Sequence, residues 1–257
     1  MSRKRSAVRT KRDNVYDFQE ALYANARAQD HGPTRKHWTT HDLKSVKPLT
    51  PTQTDMFHDF FNGQHICAHG SAGTGKTFVA IYLALAEVLN KDTPVDKIIL
   101  VRSAVTTRDQ GFLPGTIEEK NQPFETPYKD IFADITGKYS TYGDMKEAGL
   151  VQFCTTAHIR GLTWDNAIIV VDEVQNMTWS EIDSIVTRVG TNTRLIMCGD
   201  SRHQIDLSGK EKTGFAEMLC VIQRMSSSFS EISFTHHDIV RSAFVKQWII
   251  TRDELNL

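Results

Sequence analysis

The chain has 257 residues, with 40% hydrophobic residues, 24% charged residues and a formal net charge of −1. This composition is ordinary for a soluble globular protein, and no apolar run approaches the roughly 20 residues that a membrane-spanning helix requires. The basic N-terminus has no apolar segment behind it, and the four cysteines show no C-x-x-C spacing. We therefore expect a cytoplasmic protein with free thiols, without a secretory signal or a membrane segment.

Residues 1–48 are polar and hold few branched aliphatic residues, which predicts an N-terminal extension, partly disordered or docked on the core. Six basic residues lie between Arg3 and Arg12 with no acid among them, and a short helix is predicted over 13–28. The basic run could contact nucleic-acid phosphates or form a solvated arm, and the sequence leaves both interpretations open.

The pattern changes after residue 48, and residues 49–257 are predicted to form a single α/β core domain. Its first helix begins with Thr50 as N-cap, Pro51 at the first helical position and Gln53 closing a capping box. Helices are predicted at 51–61, 76–89, 124–135, 179–189, 213–225 and 242–254. Apolar runs predict strands at 64–69, 97–101, 151–155, 167–172, 194–200 and 231–234. Such runs between helices predict a mostly parallel sheet with helices on both faces.

Residues 70–77 read GSAGTGKT, a complete G-x-x-x-x-G-K-[ST] phosphate-binding loop between a predicted strand and a predicted helix. Glycines let successive backbone N–H groups point at one phosphate, and the helix N-terminus adds its partial positive charge. Lys76 is predicted to reach the β- and γ-phosphates, and the Thr77 hydroxyl to ligate magnesium. The predicted nucleotide-binding residues are Gly70, Ser71, Ala72, Gly73, Thr74, Gly75, Lys76 and Thr77.

Two later strands end in polar residues, which places these residues at the edge of a parallel sheet where ligands bind. After residues 168–171, Asp172 is predicted to hold magnesium, usually through water, and Glu173 to position or activate the attacking water. After residues 194–199, Asp200 can accept hydrogen bonds from nearby donors, and Gln204 can sense a γ-phosphate or the attacking water. For the second cluster, an ordinary strand-to-loop turn is an equal alternative.

The longer strings of the chain resemble a known family. Gly199 and Asp200, with Gln204 after three intervening residues, follow Asp172-Glu173 and resemble motif III of superfamily 1 helicases, and the set as a whole resembles the PhoH family of ATPases. This resemblance covers roughly residues 48–255 and implies a single RecA-like P-loop NTPase core, related to helicase motor domains and commonly assembled into rings. RNA-linked activity has been proposed for some members. The matching strings lie at 111–115, 159–163, 172–176, 199–207 and 238–241.

The resemblance also implies roles for single residues. Gln53 matches a glutamine that reads adenine in related helicases, a role that competes with the capping box. Arg241 is a candidate arginine finger, acting in cis or on a neighbouring subunit, and it makes a homo-oligomeric ring such as a hexamer the expected assembly. The segment 102–122 could contact a nucleic-acid backbone or be an ordinary crossover loop.

These observations predict a magnesium-dependent ATPase coupled to single-stranded nucleic acid, with RNA favoured over DNA. ATP is favoured over GTP by the family, by Gln53 and by the absence of a guanine-reading N-K-x-D string. The alternative is a nucleotide-dependent switch or assembly factor that acts on protein partners without nucleic acid.

Overall fold

The computed structural model describes residues 38–103, 117–159, 161, 163–200 and 212–255. Within these ranges, six strands form one sheet in the order β3-β2-β4-β5-β1-β6. Every strand pair in this sheet is parallel, which confirms the predicted sheet type. The strands are β1 His65–Gly70, β2 Lys97–Arg102, β3 Val151–Thr155, β4 Ala167–Asp172, β5 Arg194–Gly199 and β6 Phe229–Phe234.

Seven α-helices lie in the described ranges, and none of them is long and apolar enough to cross a membrane. The predicted helices are confirmed to within a few residues, except around α3 and α4. The helices are α1 Pro51–Phe61, α2 Lys76–Val88, α3 Ile117–Thr136, α4 Thr141–Glu147, α5 Trp179–Val186, α6 Phe215–Arg224 and α7 Ala243–Glu254. Short 3₁₀ helices span Thr40–Asp42, Thr156–His158, Val174–Asn176 and His236–Asp238.

The sheet buries both of its faces, because side chains along each strand alternate between two cores. Ile66 and Ala68 of β1 pack in one core with side chains of α1 to α4. Cys67, between them, packs in the second core with side chains of α5 and α6. Helices therefore cover both faces of the sheet, as the continuous apolar strand runs predicted.

The region of α3 and α4 differs from the sequence prediction. Helix α3 begins at Ile117 instead of 124 and contains Pro123 and Pro127, two residues that normally interrupt a helical pattern. Helix α4 was not predicted, because it has only seven residues and includes Gly143. Tertiary contacts hold it instead: the buried Glu125 of α3 accepts hydrogen bonds from Tyr142 and Lys146 of α4.

Residues 38–48, which the sequence assigned to the N-terminal extension, dock on the domain core. Trp38 is buried in the same core as α1 to α4. The Lys44 backbone N–H donates to the carbonyl oxygen of Ile135 at 2.8 Å. The basic run and the predicted helix over 13–28 lie outside the described residues.

The cysteine thiols differ in exposure. Cys67 and Cys198 are buried, Cys154 is half-buried and Cys220 is exposed, and all four are free. Burial raises the pKa of Cys67 to about 12, because an apolar interior disfavours the thiolate. Burial likewise raises the pKa of Cys198 and of Cys154 above the ordinary range of a thiol.

We expect a thiol reagent such as DTNB to react rapidly at pH 8 with Cys220 alone, because only a thiolate attacks the reagent. The other three thiols should react at least about tenfold more slowly than Cys220 in the native protein. All four thiols should react after unfolding in guanidinium. The Cys220→Ser variant should lose the rapid phase. A rapid phase that persists in this variant would contradict the packing described for the two cores.

Candidate nucleotide-binding site

The strand order brings the predicted site residues to one edge of the sheet. Strands β4, β5 and β1 are neighbours, so their carboxyl ends open into a common cleft. The cleft has a volume of about 460 Å³. Gly70 and Ser71 complete the phosphate loop without lining the cavity. The predicted site residues that line it are Gln53, Ala72, Gly73, Thr74, Gly75, Lys76, Thr77, Asp172, Glu173, Asp200 and Arg241.

The phosphate loop depends on its glycines for its conformation. Gly70 has a φ of +121°, and a Cβ atom added there would overlap the carbonyl oxygen of Phe234 on β6. Gly75 has a φ of +81° and is the N-cap of α2. The Thr74 hydroxyl donates to the Ser71 carbonyl at 3.0 Å, which closes the loop on itself. The loop is therefore a fixed turn between β1 and α2.

Lys76 lies inside this loop. Its ammonium donates to the carbonyl oxygens of Gly70 at 3.0 Å and of Ser71 at 2.7 Å. Burial lowers the pKa of Lys76, and the nearby carboxylates of Asp200 and Glu173 offset part of that shift. A phosphate in the loop would give this half-buried cation an anionic partner, a role that the carbonyl oxygens fill only in part.

Asp172 accepts hydrogen bonds from two hydroxyl groups. The Thr77 hydroxyl donates to Oδ1 at 2.7 Å, and the Tyr128 hydroxyl donates to Oδ2 at 3.0 Å. Burial raises the pKa of Tyr128 well above its usual value, so the phenol remains a donor. The adjacent oxygens of Thr77 and Asp172 suit Mg²⁺, which binds through one or two protein ligands together with water and phosphate. Consistently, no group of three or more His, Cys, Asp or Glu side chains that could cage a metal occurs among the described residues.

Glu173 has the strained backbone that often marks functional residues. Its φ of +54° and ψ of +43° lie in the left-handed region, which non-glycine residues adopt rarely. Burial raises the pKa of Glu173, and the neighbouring Asp172 carboxylate raises it further. A buried carboxylate with a raised pKa is a better proton acceptor than an exposed one.

Gln175 received no role in the sequence prediction, yet it joins the two polar strand ends. Its side-chain amide donates to Glu173 Oε2, and its Oε1 accepts from the Asp200 backbone N–H at 2.9 Å. The side chain is fully buried and lies beside Gly199, where an added Cβ atom would meet Val174 Cγ1 at 2.6 Å and Gln175 Oε1 at 3.3 Å. Its place in the family-like string at 172–176 was the signal in the sequence.

Gln53 makes a different contact from the predicted capping box. Thr50 is the N-cap, as predicted, and its hydroxyl accepts from the Gln53 backbone N–H at 3.2 Å. However, Gln53 Oε1 accepts from the Leu49 N–H at 2.8 Å and not from that of Thr50, while Nε2 donates to the Thr74 carbonyl at 2.9 Å. The bond to Thr74 turns the amide toward the phosphate loop, so the side chain ties this loop to the start of α1. Contact with adenine stays a prediction.

Arg241 lies over the phosphate loop of its own chain. The Val240 backbone N–H donates to the Gly73 carbonyl at 3.1 Å, and a Cβ atom on Gly73 would meet the Arg241 Cγ at 2.9 Å. The residue is exposed, so its guanidinium is accessible from solvent. Gln204 and most of the segment 102–122 (residues 104–116) lie outside the described residues.

Comparison with known proteins assigns the family. The family model described as "PhoH-like protein" matches residues 45–252. This chain belongs to the PhoH-like family. Its parallel sheet, with the phosphate loop after β1, is the RecA-like P-loop fold that the sequence resemblance implied.

The curated relatives extend beyond the matched region. A PhoH-like protein of Bacillus subtilis is 34% identical over 217 residues, which cover 83% of this chain and 66% of that protein. Protein PhoH of Escherichia coli is 34% identical over 211 residues, covering 80% of this chain and 58% of that protein. The large terminase of a thermophilic bacteriophage, solved in complex with ADP, is 17% identical with a TM-score of 0.49, covering 78% of this chain and 49% of that chain. The chain thus spans only part of the length of these relatives.

We expect Gly70→Ala to destabilise the fold strongly, because the new Cβ would meet backbone atoms of β6 that cannot move aside. Gly149→Ala is the matched control: its φ is +75°, and a Cβ there has nothing within 4 Å. The control should lose only the backbone-strain term, about 1–2 kcal/mol of unfolding free energy. Gly70→Ala should lose about 3 kcal/mol more in urea denaturation. Equal losses in the two variants would contradict the close approach of Gly70 to Phe234.

Proposed function

We propose that this chain is a magnesium-dependent ATPase that hydrolyses ATP in the cleft at the ends of β1, β4 and β5. The observation that supports it best is the 2.7 Å hydrogen bond between Thr77 and Asp172, with the carboxylate of Glu173 beside it. The phosphate loop alone would also suit a small-molecule kinase. A second, half-buried carboxylate, that of Glu173, next to the proposed magnesium ligand favours water as the attacking group, because it can accept a proton from water.

The proposed reaction is in-line attack of water on the γ-phosphate. Glu173 orients the water and accepts its proton, and Gln175 fixes the Glu173 carboxylate through its amide. Lys76 turns from the loop carbonyls to the β- and γ-phosphates, where it offsets the charge that develops in the transition state. Magnesium held by Thr77 and Asp172 would neutralise charge on the same phosphates. Arg241 and Gln204 are proposed to contact the γ-phosphate.

Replacement of Glu173 tests the proposed base. Glu173→Gln keeps the size of the side chain but cannot accept a proton, so kcat should fall about 10²–10⁴-fold while ATP binding persists. Lys76→Ala should abolish turnover and serves as the blank for contaminating ATPases. Steady-state phosphate release and a fluorescent-nucleotide titration measure the two properties separately. Normal turnover by Glu173→Gln would refute the assignment of the base.

We further propose that hydrolysis is coupled to single-stranded nucleic acid, with RNA favoured. The support is the likeness of the chain's motifs to superfamily 1 helicases, together with the basic run between Arg3 and Arg12 and the hydroxyl and arginine side chains of residues 102–122. The second candidate, a nucleotide-dependent switch that acts on protein partners, is favoured only if hydrolysis is indifferent to nucleic acid.

Phosphate release with and without single-stranded RNA and DNA, at two salt concentrations, separates these candidates. Stimulation by either polymer, weaker at the higher salt concentration, supports nucleic-acid coupling because phosphate contacts are screened by salt. Clear hydrolysis that neither polymer changes would support the switch. The Lys76→Ala variant sets the background in every arm.

A homo-oligomeric ring, such as a hexamer, is also proposed. Arg241 is exposed and lies at the cleft. In a ring, a neighbouring subunit would complete this cleft, or Arg241 would contact the nucleotide of that neighbour. Phe244 and Trp248, on the helix that follows Arg241, are 73% and 65% exposed, and large exposed aromatic side chains often lie in interfaces. Light scattering with and without magnesium and ATP should give a mass several times that of the chain. A monomer under both conditions would contradict the ring.

A further inference from the structure

Both oxygens of the Asp172 carboxylate accept a hydrogen bond, each from a different helix. Thr77, at the start of α2, donates to Oδ1, while Tyr128, in the middle of α3, donates to Oδ2. The first partner belongs to the phosphate loop and is itself a predicted magnesium ligand. The second partner belongs to a helix that contributes no residue to the predicted chemistry. Its contact with the magnesium carboxylate is therefore not explained by the phosphate loop motif.

Tyr128 is fixed in its position by packing. The side chain is fully buried, and its ring lies 5.9 Å from that of Phe153, between centroids. A buried phenol hydroxyl needs a hydrogen-bond partner, and Asp172 provides it. Arg102 ends β2 directly opposite Asp172 in the sheet register. The bond from Tyr128 therefore links the middle of α3 to the carboxylate at the end of β4.

We propose that Tyr128 is a positioning residue for magnesium. The Thr77 hydroxyl would bind magnesium through its oxygen and would keep its proton for Oδ1 of Asp172, while Tyr128 donates to Oδ2. A carboxylate held at both oxygens cannot rotate freely, so Tyr128 keeps Oδ1 directed at Thr77. This inference rests on the proposed function, because it assigns the metal to Thr77 and Asp172.

The consequence is specific to magnesium. Tyr128 is not among the residues that line the cleft, so its hydroxyl should leave the affinity for the nucleotide without metal unchanged. Loss of a side chain that orients a metal ligand typically lowers metal affinity by 10- to 100-fold. A merely structural tyrosine would lower the stability of the fold without changing the magnesium requirement.

The chain contains a matched control. Tyr142 is almost fully buried on α4, and its hydroxyl also donates to a carboxylate, Glu125, at 2.7 Å. Its ring packs edge-on against Phe132, away from the residues that line the cleft. Tyr142→Phe therefore removes the same group from a similar environment. Any difference between the two variants reports on Asp172 rather than on burial of a phenol.

The experiment is a magnesium titration of Tyr128→Phe, Tyr142→Phe and the unaltered chain. The first readout is binding of a non-hydrolysable ATP analogue across magnesium concentrations and in EDTA, and the second is the magnesium dependence of hydrolysis. Tyr128→Phe should need about tenfold more magnesium for half-maximal binding and hydrolysis, with unchanged binding in EDTA. Tyr142→Phe should match the unaltered chain in both readouts.

Equal magnesium requirements in the two variants would overturn the proposal. The binding readout tests the role of Tyr128 even if the unaltered chain hydrolyses no ATP. A lack of hydrolysis would count against the proposed ATPase activity but not against the role of Tyr128. If Tyr128→Phe does not fold, Tyr128→Met replaces it, because methionine is a flexible apolar side chain that also lacks the hydroxyl. This variant should also raise the magnesium requirement about tenfold, and an unchanged requirement would overturn the proposal in the same way.

Discussion

The hydrogen bond between the Thr77 hydroxyl and the Asp172 carboxylate connects the two halves of the site. Thr77 belongs to the first turn of α2, which follows β1, and Asp172 is the last residue of β4. Strand β5 lies between those two strands, so the bond forms only if all three end at the same level. Parallel pairing of β4, β5 and β1 fixes that level, and the rest of the cleft is arranged around it.

Several contacts from outside the phosphate loop hold it in place. Gly70 lies against the Phe234 carbonyl, Gln53 donates to Thr74, and Val240 donates to Gly73. These partners come from β6, from α1 and from the segment before α7. The loop is therefore preorganised by three distant parts of the chain, which reduces the ordering that a bound triphosphate would require.

The electrostatics of the cleft suit the proposed magnesium nucleotide. Burial lowers the pKa of Lys76 and raises that of Glu173, because desolvation disfavours the charged form of each group. Phosphate oxygens would give Lys76 a charged partner, and a divalent cation near Asp172 would offset the repulsion between the two adjacent carboxylates. The charges of Lys76, Asp172 and Glu173 would therefore each be offset by a group of the proposed magnesium nucleotide.

The sequence predicted the elements better than the contacts between them. Largely apolar runs located β1 to β5, a weaker segment at 231–234 located the second part of β6, and the glycine loop located the predicted nucleotide site, because these signals are local. Gln175 and Tyr128 escaped prediction because their roles depend on partners that only the fold brings near, 25 residues away for Asp200 and 44 residues away for Asp172. Helix α4 escaped for the same reason, since its buried bonds to Glu125 outweigh a weak local pattern.

We propose that the cleft binds a nucleoside triphosphate with magnesium between Thr77 and Asp172. Calorimetric titration of a non-hydrolysable ATP analogue into the unaltered chain, with magnesium and then with EDTA, tests this binding most directly. We expect one saturable site per chain, with affinity at least about tenfold weaker without magnesium. Absence of saturable binding, or equal affinity under the two conditions, would contradict it.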